Sequence, residues 1–309
     1  MSGLTQDRSR VEARPTSTVI RQPGTRFILW FSLPIAVGAL GGALLGIFGH
    51  SAYARETSNW VAQAVAQDIA NLVAYSALIV LAVLAARGAL RAYLAWIGLL
   101  GYSVYTFAIY AFAVHFGPLF LLYVAVFGLS IYALVVGLSR LDYERVKERV
   151  GARVPRRFTS SLLMAIGGFF YLLWLSAVVP ALVAGRVPDD VVKAGVLVNP
   201  VHVLDMAVFL PAMLLAGALL LRRRAMGYVL TPLVLTAAFT ISLGIIVIQP
   251  VSAVRGETSA WGVGAAVAVL AVVELLTLIR FLSAIEVEAN VSSVLRNSHG
   301  SEATDRAQK

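Results

Sequence analysis

Eight continuous apolar runs limit what this chain can fold into: Phe27–Phe48, Asp68–Ala86, Ala92–Phe116, Leu119–Leu138, Leu162–Ala184, Val201–Leu221, Met226–Ile248 and Trp261–Leu282. A helix needs about 20 apolar residues to cross the hydrocarbon core of a bilayer, and each run is close to that length. Barrel strands would instead alternate apolar and polar residues over roughly ten positions. In lipid, a helix satisfies every backbone N–H and C=O within its own segment. The expected fold class is therefore an all-α integral membrane protein with eight transmembrane helices. Composition agrees. The chain is 59% hydrophobic and 13% charged, against roughly 25% charged residues in an ordinary soluble domain. It has too few polar side chains to cover the apolar ones in water.

The first 26 residues are polar and carry Arg8, Arg10, Arg14, Arg21 and Arg26. The run that follows is 22 residues long, whereas the apolar region of a signal peptide is about 7–15, so it is expected to remain as a span. Residues 1–26 and 286–309 read as polar, disordered cytoplasmic tails. Lysine and arginine set the orientation, because they accumulate in short cytoplasmic loops. With the N-terminus inside, all of the 25 lysines and arginines except Arg55, Arg186, Lys193 and Arg255 fall on the cytoplasmic side. Both termini are then cytoplasmic, and the expected location is the plasma or inner membrane. The net charge of +9 is read as topology plus attraction to anionic headgroups, not as a sign of nucleic-acid binding.

The runs divide into two sets of four, residues 27–139 and 162–285. Asp68 and Asp205 open corresponding runs, and each is followed at the same spacing by an arginine, Arg87 or Arg224, and then by a tyrosine, Tyr93 or Tyr228. The first outer loop of each set carries a short amphipathic pattern, Trp60, Val61, Ala64 and Val65 in one and Val191, Val192, Gly195 and Val196 in the other. The fourth runs end alike, Leu138-Ser139-Arg140-Leu141-Asp142 and Leu282-Ser283-Ala284-Ile285-Glu286. An even number of spans per copy makes such repeats parallel, related by an axis along the membrane normal. The segment between them, residues 140–161, spaces Val146, Val150 and Val154 helically among charges. It reads as a basic cytoplasmic helix on the bilayer surface or as a solvated linker.

Several residues could carry a site. Gln63, Gln67, Asn71 and Tyr75 recur every fourth position and share a helix face with Asp68 beside them. Asn199-Pro200 reads as a helix start, with His202 and Asp205 on one face after it. The aspartates are read either as symmetric acidic groups of an outward vestibule for a proton or cation, or as helix-capping carboxylates. His202 beside Asp205 adds a group that titrates near neutral pH. Glu274 lies about 20 Å below Trp261 at 1.5 Å per residue, deep enough to need a proton or a partner in the bundle. It is read as a proton-binding group, a substrate contact or a structural hydrogen bonder to a tyrosine or threonine. The residue aligned with it in the first copy is Ser130. Tyr102, Thr106 and Tyr110 share a face of the aromatic third run and could line a cavity or simply pack. Gly38, Gly42 and Gly46 form a small-residue packing face that could serve internal packing or a homodimer.

No cysteine is present, which excludes disulfides and thiolate chemistry. The lysines are Lys147, Lys193 and Lys309, none within a run, which excludes a retinal Schiff base. The sequence holds no HExxH, GxSxG or Walker pattern. No cofactor, metal or catalytic residue is expected, and an enzyme is disfavoured, although His202 with Asp205 resembles half of an acid–base set. Two functions stand: a transporter or permease for a small molecule or ion, proton-coupled through Glu274, or a non-transporting membrane sensor, assembly factor or partner-binding subunit.

Overall fold

A computed structural model describes Val19 and residues 26–49, 51–150 and 154–285. Except for Val19 and Arg26, the two polar tails expected from the sequence lie outside the described residues. The chain is 82% helix without strands among the described residues. Its elements are α1 (Arg26–Phe48), α2 (Ser58–Ala86), α3 (Leu90–Ala113), α4 (Phe120–Ser139), α5 (Tyr143–Arg149), α6 (Arg156–Val183), α7 (Asp189–Ala194), α8 (Pro200–Leu204), a π turn (Asp205–Phe209), α9 (Leu210–Leu221), α10 (Ala225–Val254) and α11 (Trp261–Ser283). Among the described residues eight spans are long and apolar enough to cross a membrane, with α8, the π turn and α9 counting as one, as in a multi-pass membrane protein.

The boundaries differ from the hydropathy edges where helix-compatible polar residues extend an apolar run. α2 begins at Ser58, well before Asp68, because Thr57 caps it: the threonine hydroxyl accepts from the Trp60 amide at 3.2 Å. The Ala, Gln and Val of its first turns suit a helix without being uniformly apolar. The start expected at Asn199-Pro200 is present, with Asn199 Oδ1 accepting from the amides of Val201 and His202 at 2.9 and 3.3 Å. The same span then widens into the π turn. Pro211, just beyond it, supplies no N–H and crowds the carbonyl one turn back, which disrupts an α-helical ladder.

α3 and α10 are the most buried spans, at 78% and 56% of their apolar windows, and they pack against each other at the centre. α1 to α4 close on themselves, with α1 against α2 and α4, and α3 against α2 and α4. In the second set α6 packs on α9, α9 on α10 and α10 on α11, and α10 also packs on α2. The linker's apolar stripe is turned into the protein. Within the linker Tyr143–Arg149 forms a short helix that packs against α10, α6 takes in its last residues from Arg156, and Val146 and Val150 are fully buried. Burying these valines under the bundle removes the apolar face that would have met lipid.

The glycine face of α1 is also occupied from within. A methyl at Gly38 would meet Val126 Cγ2 of α4 at 2.8 Å, one at Gly42 would meet Leu122 of α4, and one at Gly46 would run into Asp68 and Tyr53. The homodimer expected through Gly38, Gly42 and Gly46 therefore has no free face there. A comparable close approach joins the central helices. A methyl at Gly98 of α3 would lie 2.9 Å from the Leu233 carbonyl oxygen and from Thr236 Oγ1 of α10. Gly98→Ala is expected to destabilise the protein by about 1–3 kcal/mol through overpacking. Gly41→Ala, which meets nothing within 4 Å, should be neutral or mildly stabilising. Unfolding titrations in micelles measure both, and equal effects would contradict this packing.

Candidate functional site

The polar residues of α2 and α3 form one buried hydrogen-bond chain. Gln67 Nε2 donates to Tyr102 Oη at 2.5 Å, and Tyr102 Oη donates to Asn71 Oδ1 at 2.6 Å. Asn71 Nδ2 donates to Tyr110 Oη at 3.3 Å, and Tyr110 Oη donates to Asp68 Oδ1 at 2.7 Å. Tyr53, from the loop before α2, donates to the other oxygen, Asp68 Oδ2, at 2.7 Å. Every donor in the series points toward Asp68, so each bond polarises the next. Asp68 is only 2% exposed, and no ion pair reaches it among the described residues. Neutral donors carry the whole task of satisfying its carboxyl. Burial, and then the adjacent Asp68, push the Tyr53 hydroxyl above the usual tyrosine range, which keeps it a donor.

This geometry removes the capping interpretation of Asp68, because Thr57 holds the cap and Asp68 lies several turns into α2. Asp205 is not a cap either. Tyr105 Oη of α3 donates to its Oδ1 at 2.9 Å, and Trp174 Nε1 of α6 donates to its Oδ2 at 2.8 Å. It opens the π turn, a distortion that recurs at functional sites. His202 is buried and packs against Trp174 with ring centroids 4.4 Å apart and the planes tilted by 40°. Its ring thus packs on a donor to Asp205, and no bond joins the two side chains that the sequence paired.

Between the two sets of helices lies a cavity of about 130 Å³. α2 contributes Trp60, Gln63 and Gln67, α3 contributes Tyr105, Thr106 and Tyr110, α8 contributes Val201, and α10 contributes Ile241, Gly244 and Ile245. The cavity is smaller than the roughly 300–1,000 Å³ of ordinary drug-sized sites. Both aspartates lie one side chain behind its wall, Asp68 through Tyr110 and Asp205 through Tyr105. Gly244 makes room for Gln67, since a methyl there would come within 2.6 Å of Gln67 Oε1. Trp60 is 6% exposed, and its indole N–H is buried without an acceptor among the described residues.

Glu274 lies outside this wall. It is 1% exposed, and Ser242 Oγ of α10 donates to its Oε2 at 3.0 Å, so the partner is a serine and not the expected tyrosine or threonine. Ser130, which the sequence reading aligned with Glu274, bonds Ser103 of α3 at 2.7 Å, a contact between α4 and α3. Sequence reasoning missed Tyr53, Trp60, Tyr105, Trp174, Ser242 and Gly244 as parts of these groups. No family model matches the sequence, and no curated protein or solved structure resembles it at a significant level.

The Tyr53–Asp68–Tyr110 group makes a double-mutant cycle informative. Asp68→Asn replaces one acceptor oxygen with a donor and leaves one tyrosine hydroxyl unmatched. Asp68→Asn and Tyr53→Phe are each expected to destabilise by about 1–3 kcal/mol, with the double variant losing less than the sum by about 0.5–3 kcal/mol. Additive losses would mean that the bond is absent in the folded protein.

Proposed function

We propose that the chain is a permease-type transporter that binds a small polar solute in the cavity between its two sets of four helices. The observation that carries this reading is the unpartnered indole N–H of Trp60 in the cavity wall. A buried donor without an acceptor is costly, and a solute carrying a carbonyl or anionic oxygen would supply one. Gln63, Gln67 and Thr106 add polar groups to the same wall. The donor chain running from Gln67 to Asp68 gives solute contact at Gln67 a direct route to a buried carboxyl.

The two sets are read as parallel copies, with both termini cytoplasmic in the plasma or inner membrane. The arginine distribution supports the orientation. The packing of α3 on α10, the α4–α3 and α11–α10 serine contacts and the paired aspartates support the duplication. The copies have diverged at their outer ends. α2 is continuous, whereas its counterpart is interrupted between α7 and α8 at Gly195, whose φ is 71°. Two parallel bundles around a site at their interface suit alternating access, in which one bundle rocks against the other. Glu274 stands off the path, so coupling is assigned to the aspartate groups and not to it.

A second reading keeps one specific support. α6 and α11 occupy the places that α1 and α4 take in the first set, yet they make no extensive contact with each other. The apolar faces left open, including Phe169 and Leu172, would suit a partner's helices in a non-transporting subunit.

The readings separate in proteoliposomes assayed with a panel of labelled small solutes: amino acids, monosaccharides and short carboxylates. Wild-type protein is expected to give saturable uptake of at least one. Gly244→Leu should lower that uptake by about tenfold or more, equivalent to about 1.4 kcal/mol, by filling the space that Gln67 occupies. Glu274→Gln should leave it within about twofold, the scale of a substitution that touches neither solute nor path. Uptake that survives Gly244→Leu but is lost in Glu274→Gln would overturn the assignment of the path.

A further inference from the structure

At the arginine-rich end of the bundle the surface folds into a second cavity, of about 560 Å³, beside the start of α6. Arg156 and Arg157 reach its wall from the first turn of α6, Arg223 from the turn between α9 and α10, and Tyr228 from α10. No carboxylate stands among the described residues of the wall. None of the three arginines makes an ion pair among the described residues, and Arg156 Nε is buried without an acceptor. Three guanidinium groups around one hollow repel one another. A buried N–H without a partner adds to the cost. Both are relieved by an anion.

Arg223 is a separate sign of the same thing. Its φ is 56°, and it is the only residue other than glycine with positive φ among the described residues. The position follows α9, where glycine is the usual choice because a side chain is strained there. Glycine would serve the backbone equally well, since the amides of Arg223 and Arg224 donate to the carbonyls of Leu220 and Leu219 at 3.0 and 2.9 Å. What arginine adds is a guanidinium in the cavity wall. α6 also starts without a side-chain cap, so its first-turn amides and dipole favour negative charge at the same place.

We propose that this cavity binds a phosphate group, carried by an anionic phospholipid of the leaflet that meets this end of the bundle. Guanidinium forks match phosphate oxygens in pairs. The lipid source follows from the surroundings, because Phe158 in the wall and then Phe169 and Leu172 along α6 are exposed and offer an apolar track for acyl chains. This inference is independent of whether the chain transports a solute.

Native mass spectrometry of the full chain in detergent tests it, with phosphatidylglycerol, phosphatidylcholine and inorganic phosphate as probes. One equivalent of phosphatidylglycerol is expected to bind in preference to phosphatidylcholine, and millimolar inorganic phosphate should displace it. Arg156→Gln with Arg223→Gly should weaken binding roughly 30-fold, the change for two arginine–headgroup contacts. Arg222→Gln with Arg224→Gln removes the same charge beside the cavity and should leave binding intact. Arg223→Gly alone relieves a strained position, so its melting temperature should hold or rise while affinity falls, which separates lost binding from lost folding. Equal losses in the two double variants, or equal binding of both lipids, would overturn the proposal. Binding of inorganic phosphate with no binding of phosphatidylglycerol in its absence would overturn the lipid source.

Discussion

Tyr105 and Tyr110 project from one helix, α3, to carboxyls on two others, and the rest of the arrangement depends on that. A carboxyl buried in an apolar bundle must find donors inside the protein. Five residues on an α-helix turn through about 140°, so the two hydroxyls leave α3 in different directions. One reaches Asp68 on α2, within the first set. The other reaches Asp205 at the head of the π turn, in the second. α3 therefore cannot rotate or slide without breaking a bond to one aspartate or the other. Its burial between α2, α4 and α10 follows the same constraint.

Other contacts between the sets reinforce this pairing at both ends. At the end where α2 begins the Thr57 hydroxyl, while capping α2, lies 3.0 and 3.1 Å from the carbonyl oxygens of Lys193 and Ala194 at the close of α7. At the other end Arg91 donates to the carbonyl of Ser283 at 3.1 Å and to that of Ile285. Between these ties the packing opens into the small cavity, whose polar groups all belong to α2 and α3. An interface fixed at its ends and hollow at its centre suits a solute site. Glu274, held by Ser242 of α10, is not part of the cavity wall and belongs to the packing of α11 on α10.

The spans were legible in the sequence because continuous apolar runs have few other meanings, and Asn199-Pro200 announced its helix start plainly. The start of α2 was legible only in part, because the stripe from Gln63 put helix ahead of Asp68 while the mix of glutamine with alanine and valine from Ser58 to Gln67 left the apolar run, and its first turn, beginning at Asp68. That misplacement made Asp68 look like a cap. The four-residue stripe of Gln63, Gln67, Asn71 and Tyr75 correctly put polar groups on one face, and the Tyr102–Thr106–Tyr110 face was also visible. Their partners were not, because Tyr105 meets Asp205 across 100 positions and Trp174 meets it across 31, and no local spacing encodes such contacts. The glycines of α1 were readable as a packing face, but only the fold assigns that face to α4 and Asp68 in place of a second chain.

The most direct test of a solute path between the two sets uses the chain's lack of cysteine. Single cysteines replacing Gln63, Thr106 or Ile245 in the cavity wall are expected to react with a membrane-impermeant thiol reagent added from the outer side of sealed vesicles. Cysteines replacing Leu78 or Ala133, fully buried away from the cavity, should stay inert. Unreactive wall positions, or wall positions labelled only from the cytoplasmic side, would contradict an outward-facing cavity between the two sets of helices.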